Sequence, residues 1–582
     1  MMKQFAYGAV SAAVLSAVTM GQARADAYSV SEVATPDNYL QQFAVSLNDA
    51  GEAVGIARTP LGLDIDLTKV SVSTLNSLGI TSTQANEGYE LSETQYLNLV
   101  RLLEDSTNQN AGQLRIGNNA ATTMMGNTAT LVPFFDSNDN SLPISTENLF
   151  YGINNGGYAF GRGSAPYEPL EYTYTNSDDE EVSITYYVRD FISRAVWYDG
   201  ANLTRIDPPE TTELGGESSI MDMNDNSLAV GYASVGLSPS AETVIDNCNN
   251  PDEDQSTLSR PPEICIWNAW FSLQSARAEQ FRPNYFSASR IASNRSIYDM
   301  RGYAWQLDSQ GQVISSKQLG LLTERNDEDD SGDFSSYAYA VNNNDVIVGQ
   351  SWTYYDGNES TGGRIKMPAI FVDDQVLPVT ENTDYFWGSA TDINDNNIVI
   401  GYLIKRINGS FRNVGFTYDV DAETPAVQEM NAFFTGASTT PMAINNNGVI
   451  VGSAEIEASI SDTRRRVGFV YDTTAEQPKM LDLNDAISCD ANYYIVEANS
   501  INDQGDILAT AVQTQTYTDS DGNERSRQVA KTIRLNATGG EFNDCTEEAN
   551  KVEREGAATT PWQLLGLALM GALITIRRKF SH

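Results

Sequence analysis

Short apolar runs alternate with polar turns along most of the chain, and one phrase recurs. Ala443 onward reads AINNNGVIVGSA, Ala390 onward ATDINDNNIVIGYL, and Ala340 onward AVNNNDVIVGQS. The clearest copies place an asparagine at Asn342, Asn394, Asn445 and Asn502, at intervals of 52, 51 and 57 residues. Earlier copies carry Asn48, Asn154 and Asn224, and a worn copy is read at Ser289–Ile297, where Ala292 replaces the asparagine. An Asn-Gly step admits the positive φ that a tight hairpin turn requires. The VIVG that follows is apolar on both faces, so it predicts a strand needing cover on both sides. Gly231, Gly349, Gly401 and Gly452 are expected where backbones approach closely or a neighbouring aromatic packs on top.

A second half follows each copy: a short apolar strand ending in an aromatic and then often Asp or Asn. The instances are VPFFD (Val132–Asp136), AVWYD (Ala195–Asp199), CIWN (Cys265–Asn268), YAWQLD (Tyr303–Asp308), AIFVDD (Ala369–Asp374), GFTYD (Gly415–Asp419), GFVYD (Gly468–Asp472) and TIRLN (Thr532–Asn536). The halves alternate, which gives eight units of about four strands each. A four-stranded unit cannot bury both faces alone, but radial stacking covers each with its neighbours. The expected fold is an all-β propeller of seven or eight blades over 26–545; a sandwich series or a solenoid is the competing arrangement. Residues 60–112 interrupt the first unit. There LSETQYLNLVRLLED has helical spacing, with Leu97, Val100, Leu102 and Leu103 on one face and Ser92-Glu93 as its start, so a small helical insertion is expected.

The termini carry address signals. Phe5–Val18 is mostly apolar and Ala23-Arg24-Ala25 is a small-x-small site, so residues 1–25 read as a signal peptide cut between Ala25 and Asp26. At the other end an acidic linker (546–560) precedes PWQLLGLALMGALITI (Pro561–Ile576) and Arg577-Arg578-Lys579. That tail (561–582) is expected to form a hydrophobic transmembrane helix with its basic end on the cytoplasmic side. Cys248, Cys265, Cys489 and Cys545 suggest two disulfides in an exported chain. Three pairings are possible, and neighbours in sequence, Cys248 with Cys265 and Cys489 with Cys545, are preferred. The net charge of −41 disfavours nucleic acid and suits an acidic, solvated surface.

The residues Ile444-Asn445, Gly448, Ile450-Val451-Gly452 and Ala454, followed by the aromatic-Asp strand, resemble the bacterial extracellular HAF repeat. Repeat number and termini together resemble a group of exported gammaproteobacterial proteins of about this length, and the likeness spans about Ala44 to Asn536. It implies an extracellular repeat fold and supplies no catalytic residues. Linker, helix and basic end also resemble a C-terminal sorting tail removed by a rhomboid-like intramembrane protease, although Gly556-Ala557-Ala558 stands where that family has a Gly-Gly pair.

Histidine excludes much chemistry: the one His is the last residue, His582, so no Ser-His-Asp or Cys-His arrangement and no His-rich metal site can form. No phosphate-binding glycine loop is present. Calcium is the candidate metal, at Asp519, Asp521 and Asn523, where oxygen ligands alternate around a glycine turn, with Asp136–Asn140 a weaker match; no other cofactor is expected. The acidic run Asn326–Asp333 reads as a solvated loop. The expected function is an exported, envelope- or surface-associated scaffold that binds a protein or glycan. The alternative is a hydrolase or lyase that attacks an extracellular polymer with paired carboxylates.

Overall fold

Each of the seven asparagines opens a tight turn between two antiparallel strands. In every copy its side-chain Oδ1 accepts the backbone N–H four residues on, from Glu52 (2.8 Å) in the first copy to Asp506 (2.9 Å) in the last. The residue three after the asparagine has positive φ in all seven: Gly51, Gly157, Ser227, Asp345, Asn397, Gly448 and Gly505. The glycine at that place in four copies is therefore a backbone requirement, which Ser, Asp and Asn meet at some cost in the other three.

The protein was studied as a computed structural model, which describes residues 26–545 except 105–110, 136–143, 177, 251–259, 281–296, 329, 360–362, 459–463, 519–521 and 544. The strands form seven four-stranded antiparallel sheets. Blade 6 shows the plan: Thr439–Ile444, Val449–Glu455, Arg466–Asp472 and Met480–Asp482 follow one another as a meander. Blades 1 to 5 span 39–131, 148–206, 218–318, 336–378 and 385–429. Blade 7 draws three strands from 494–537, and its outer strand is Tyr28–Glu32 from the other end of the domain, paired with Glu524–Ala537. The ring is thus closed by the chain's two ends in one sheet.

The inner strand of every blade carries a β-bulge at the same place, skipping the residue three before the asparagine: Val45, Tyr151, Met221, Tyr339, Thr391, Met442 and Asn499. The facing glycine of the second strand meets that inner strand closely. A Cβ on Gly231 would lie 1.9 Å from the Ser219 carbonyl oxygen, and one on Gly452 2.3 Å from that of Thr440 and 3.0 Å from the Phe469 ring. Both expected reasons for the glycine, backbone approach and an aromatic above it, hold at Gly452.

First-to-second connections leave one end of each meander, and second-to-third connections leave the other. The first set are the seven short asparagine turns. The second set carry the large embellishments. In blade 1 these are the helices α1 (Val72–Ser77), α2 (Ser82–Asn86) and α3 (Glu93–Leu103), inside the expected 60–112 interval. Ser92 caps α3 through a capping box with Gln95, and Leu99, Val100 and Leu103 are buried beneath it. Blade 2 adds the hairpin Glu168–Thr175/Glu181–Val188. Blade 3 adds α4 (Pro239–Asn249) and α5 (Pro262–Gln280), bridged by the Cys248–Cys265 disulfide. Blade 7 extends its second and third strands into the hairpin Ile507–Thr518/Glu524–Ala537.

The described strands make seven blades, within the expected seven or eight, and three readings along the sequence are corrected. CIWN lies inside α5, because a four-residue apolar run reads equally as strand or helix, and the second strand of blade 3 pairs directly with Tyr298–Leu307 across the insertion. Most of the worn copy at 289–297 falls outside the described residues, as do the signal segment 1–25, Asp519, Asp521, Asp136–Asn140 and the tail 561–582. The third strand of blade 1 is Asn119–Met125, not VPFFD; Phe134 packs instead on Phe150 of blade 2, ring centroids 5.1 Å apart. The acidic run 326–333 is not simply solvated. Asp330 and Asp333 are buried, Arg364 pairs with Asp330 at 3.3 Å, and the same guanidinium donates to the Asp333 carbonyl at 2.6 Å.

Replacing Asn445 by alanine strands the Val449 and Asn447 N–H groups and removes a donor from the Asn502 carbonyl. The expected loss is about 2–4 kcal/mol in urea unfolding, against under about 0.5 kcal/mol for Ala at the exposed Asn492. A chain begun at Thr35 lacks the strand that closes blade 7; it should melt at lower temperature and scatter light on heating, because the Glu524–Ala537 edge is bared.

Candidate functional site

Two places stand out, one on the axis and one on the embellished face. On the axis, each asparagine side chain donates through Nδ2 to the carbonyl of the next blade's asparagine. The sequence runs from Asn48 to Asn154 (3.0 Å), Asn224, Asn342, Asn394, Asn445 and Asn502, and Asn502 returns to Asn48 at 3.3 Å. The next residues form a second closed ring. The N–H of Asp49, Asn155, Asp225, Asn343, Asp395, Asn446 and Asp503 each donates to the following side chain, with Asp503 donating to Asp49 at 2.9 Å. Three of the seven are carboxamides set between carboxylates: Asn343 Nδ2 reaches Asp225 at 3.3 Å and Asp395 at 3.1 Å. The two rings line a shallow cavity of about 210 Å³.

Beneath the rings stand two more acids. Asp222 Oδ2 accepts the Val341 N–H of blade 4 at 2.8 Å, and Asp392 Oδ2 accepts the Ile444 N–H of blade 6 at 2.9 Å. Burial pushes both carboxyls up, Asp222 to about 6 and Asp392 to about 8, the charge of Asp222 adding to the effect on Asp392. Deeper still lie phenols from the bulges and second strands. These are Tyr151, Tyr232, Tyr339 and Tyr402, with burial pushing Tyr151 and Tyr402 to about 12.

On the embellished face the insertions touch in series. Arg527 of the blade 7 hairpin pairs with Glu93 of α3 at 2.9 Å. The Tyr187 N–H of the blade 2 hairpin donates to Ala111, and Tyr186 packs with Ile264, Trp267 and Phe271 of α5. The Ser240 N–H of α4 donates to Ser331, in the loop leading to blade 4. A wall therefore runs over blades 7, 1, 2 and 3. Over blades 4 and 5, on the same face, lies a cleft of about 420 Å³. Leu322, Ile365, Met367, Tyr354 and Tyr385 form its apolar side, with Tyr355, Asp356, Glu359, Glu381 and Thr383 around them. Tyr355 stacks on Phe386 with ring centroids 5.5 Å apart and donates to the Thr383 carbonyl at 2.8 Å. Asp356 holds φ of 50°, which fixes the turn that lifts its carboxylate to the rim.

Of the expected site residues, the structure joins Cys248 to Cys265, and Cys489 and Cys545 are disulfide-bonded as well. Asn523 follows Gly522, at φ 81°, at the turn of the long hairpin. Among the described residues no group of three or more His, Cys, Asp or Glu is placed to hold a metal, and no helix is long and apolar enough to cross a membrane. The cleft went unseen in the sequence because its walls join strand ends of blades 4 and 5 to the connections between them, at positions that the repeat does not share. The residue after each repeat asparagine was legible as a signal: Asp or Asn in all seven copies.

The fold and disulfides define a seven-bladed β-propeller suited to an extracellular or periplasmic location. The chain belongs to the DUF3466 family, described as proteins of unknown function, which it matches over residues 4–579. No curated protein matches it. Among solved structures it is similar to the Trypanosoma rangeli sialidase in complex with the inhibitor DANA, at 10% identity and a TM-score of 0.30, over 71% of this chain and 56% of that one. It is also similar to YjhT, at 10% identity and a TM-score of 0.19, over 53% of this chain and 91% of that one. The chain thus spans little more than half of the sialidase's length, and likeness this distant carries no argument about activity.

The raised carboxyls give a pH dependence with a definite sign. A carboxyl whose folded pKa exceeds its unfolded value binds more protons in the native state, so its contribution falls as pH rises between the two. For Asp392 that window runs from about 4 to about 8. Asp392→Asn should therefore gain on the wild type across it, by about 1–3 kcal/mol between about pH 5 and pH 8, as read by urea unfolding at each pH.

Proposed function

We propose that this protein is an exported, envelope- or surface-associated scaffold whose embellished face recognises a glycan or protein, the tyrosine cleft over blades 4 and 5 being the contact site. The observation that carries the reading is the inequality of the two faces. Seven near-identical turns close one face, while the described insertions rise from the other and none of the described residues covers the cleft. Aromatic walls with hydroxyl and carboxylate rims suit a sugar or a peptide, because tyrosine offers apolar area and a polar tip together. The hydrophobic tail 561–582 would tether the scaffold to a membrane or act as a sorting signal for a rhomboid-like protease, as the resemblance of its linker, apolar run and basic end to a sorting tail implies. Asp356, Glu359 and Glu381 around one cleft are what a carboxylate hydrolase or lyase would use, and they keep that second reading in play.

The test is a glycan array, run beside extracellular polysaccharides offered as substrates. Tyr355→Ala should weaken the strongest array signal at least about tenfold while moving the melting temperature little, since Tyr355 is only partly buried. An array signal unchanged by the substitution sinks the cleft assignment. Chain cleavage of a polysaccharide that is lost in Glu381→Gln would establish the hydrolase instead.

A further inference from the structure

Arg162 follows Gly161 on the second strand of blade 2, opposite Leu149 and so deeper on the axis than the acid layer. Several buried guanidiniums have anionic or carbonyl partners. Arg194 meets Asp207 at 2.6 Å, Arg364 meets Asp330, and Arg534 donates to Gly51 and Gly126 carbonyls at 2.8 Å. Arg162 meets phenols. Its Nη1 donates to the Tyr232 hydroxyl at 2.9 Å, and its guanidinium carbon lies 5.9 Å from the Tyr151 ring centroid. Among the described residues no carboxylate lies within ion-pairing distance of it; Glu217 acts on it from farther off, and Glu217 Oε1 already accepts from Trp270 Nε1 at 2.9 Å. Arg162 is half-buried, so its charge is left to solvent in the axial space or to a ligand there.

Tyr339 occupies the bulge of blade 4 as Tyr151 occupies that of blade 2, and Tyr402 follows Gly401 of blade 5 as Arg162 follows Gly161, so blades 4 and 5 bring both phenols to the same level of the ring. All five side chains are partly open although their strands lie at the centre of the ring, so they border free space on the axis. We propose that Arg162 with Tyr151, Tyr232, Tyr339 and Tyr402 forms an anion site in the axial channel that takes a small organic monocarboxylate.

Charge selects the monocarboxylate. One guanidinium balances one negative charge, and Asp222 on the same axis, ionised above about pH 6, opposes a second, so phosphate and sulfate are under-neutralised there. A guanidinium and phenolic hydroxyls are the donors a carboxylate accepts from, and the phenol rings offer apolar surface to its carbon body. The site is independent of the cleft on the embellished face.

The experiment is calorimetric titration of the full chain, in mild detergent, with sodium acetate, benzoate and gluconate, and with phosphate and sulfate at matched ionic strength. Saturable one-to-one binding of at least one carboxylate, tighter than phosphate or sulfate, is expected. Arg162→Gln should weaken it at least about tenfold, and the double variant Tyr339→Phe/Tyr402→Phe about threefold or more. Arg162→Lys, which keeps the charge without the planar fork, should fall between wild type and Arg162→Gln. No saturable carboxylate binding to folded wild type overturns the proposal. So does equal binding by wild type and the double phenylalanine variant, which decides the matter even where Arg162→Gln does not fold. Phosphate or sulfate binding more tightly than every carboxylate overturns the ligand assignment.

Discussion

Seven carboxamides hold the ring shut. Each repeat asparagine is buried, accepts its own turn's N–H groups through Oδ1 and gives its Nδ2 protons to the next blade, so one side chain fixes both the hairpin and the blade-to-blade spacing. The last link joins Asn502 to Asn48 across 454 residues of sequence. A contact so distant in sequence carries a large closure cost, and it holds because the blades between have already set the geometry. Neither a shorter nor a charged side chain can replace asparagine here: the site needs one acceptor facing back and one donor facing forward, both without charge. The bulge three residues earlier and the glycine opposite it follow from the same demand, because the inner strand must bend towards the axis to bring the carboxamide there.

That constraint divides the molecule's surface. On the asparagine face three residues of each turn are committed: one holds positive φ, one bonds its neighbour's side chain and one bridges blades. Insertions there would break the rings. The opposite face has no such obligation, so length accumulates there in blades 7, 1, 2 and 3. The added pieces support one another through Arg527–Glu93 and the cluster around Trp267. Blades 4 and 5 stay short on that face, and the cleft exists because nothing among the described residues covers it.

The same logic decides what was legible in the sequence. The rings repeat, so Asn48 through Asn502, their turns and the glycine of the second strand could be read from spacing alone. The helical insertion could be read because its caps and its buried Leu99, Val100 and Leu103 follow helical rules locally. What could not be read is non-repeating and tertiary. CIWN has strand composition but sits in a helix because the prolines at 261 and 262 and the Cys248–Cys265 bridge place it there. Asp330 and Asp333 look solvated in the run NDEDDSGD, yet Arg364, a third-strand residue, draws them inward. The cleft, the acid pair at Asp222 and Asp392 and the Arg162 collar each combine single positions from different blades, and those positions carry no motif.

A chain with net charge −41 must hold its blades together against its own surface. Its interblade ties are suited to that. The inner asparagine ring is neutral, and guanidiniums within the ring of blades end on backbone carbonyls: Arg301 on Phe334 (2.6 Å), Arg534 on Gly51 and Gly126, and Arg194, which also meets Asp207, on Gly215 (2.6 Å). Such bonds keep an arginine's strength as a donor, do not titrate with the surface acids and are little screened by salt, being buried. The repulsion they oppose lies in solvent and is screened. Salt therefore removes the opposing force and leaves the ties intact, which suits a molecule that meets whatever ionic strength its surroundings impose.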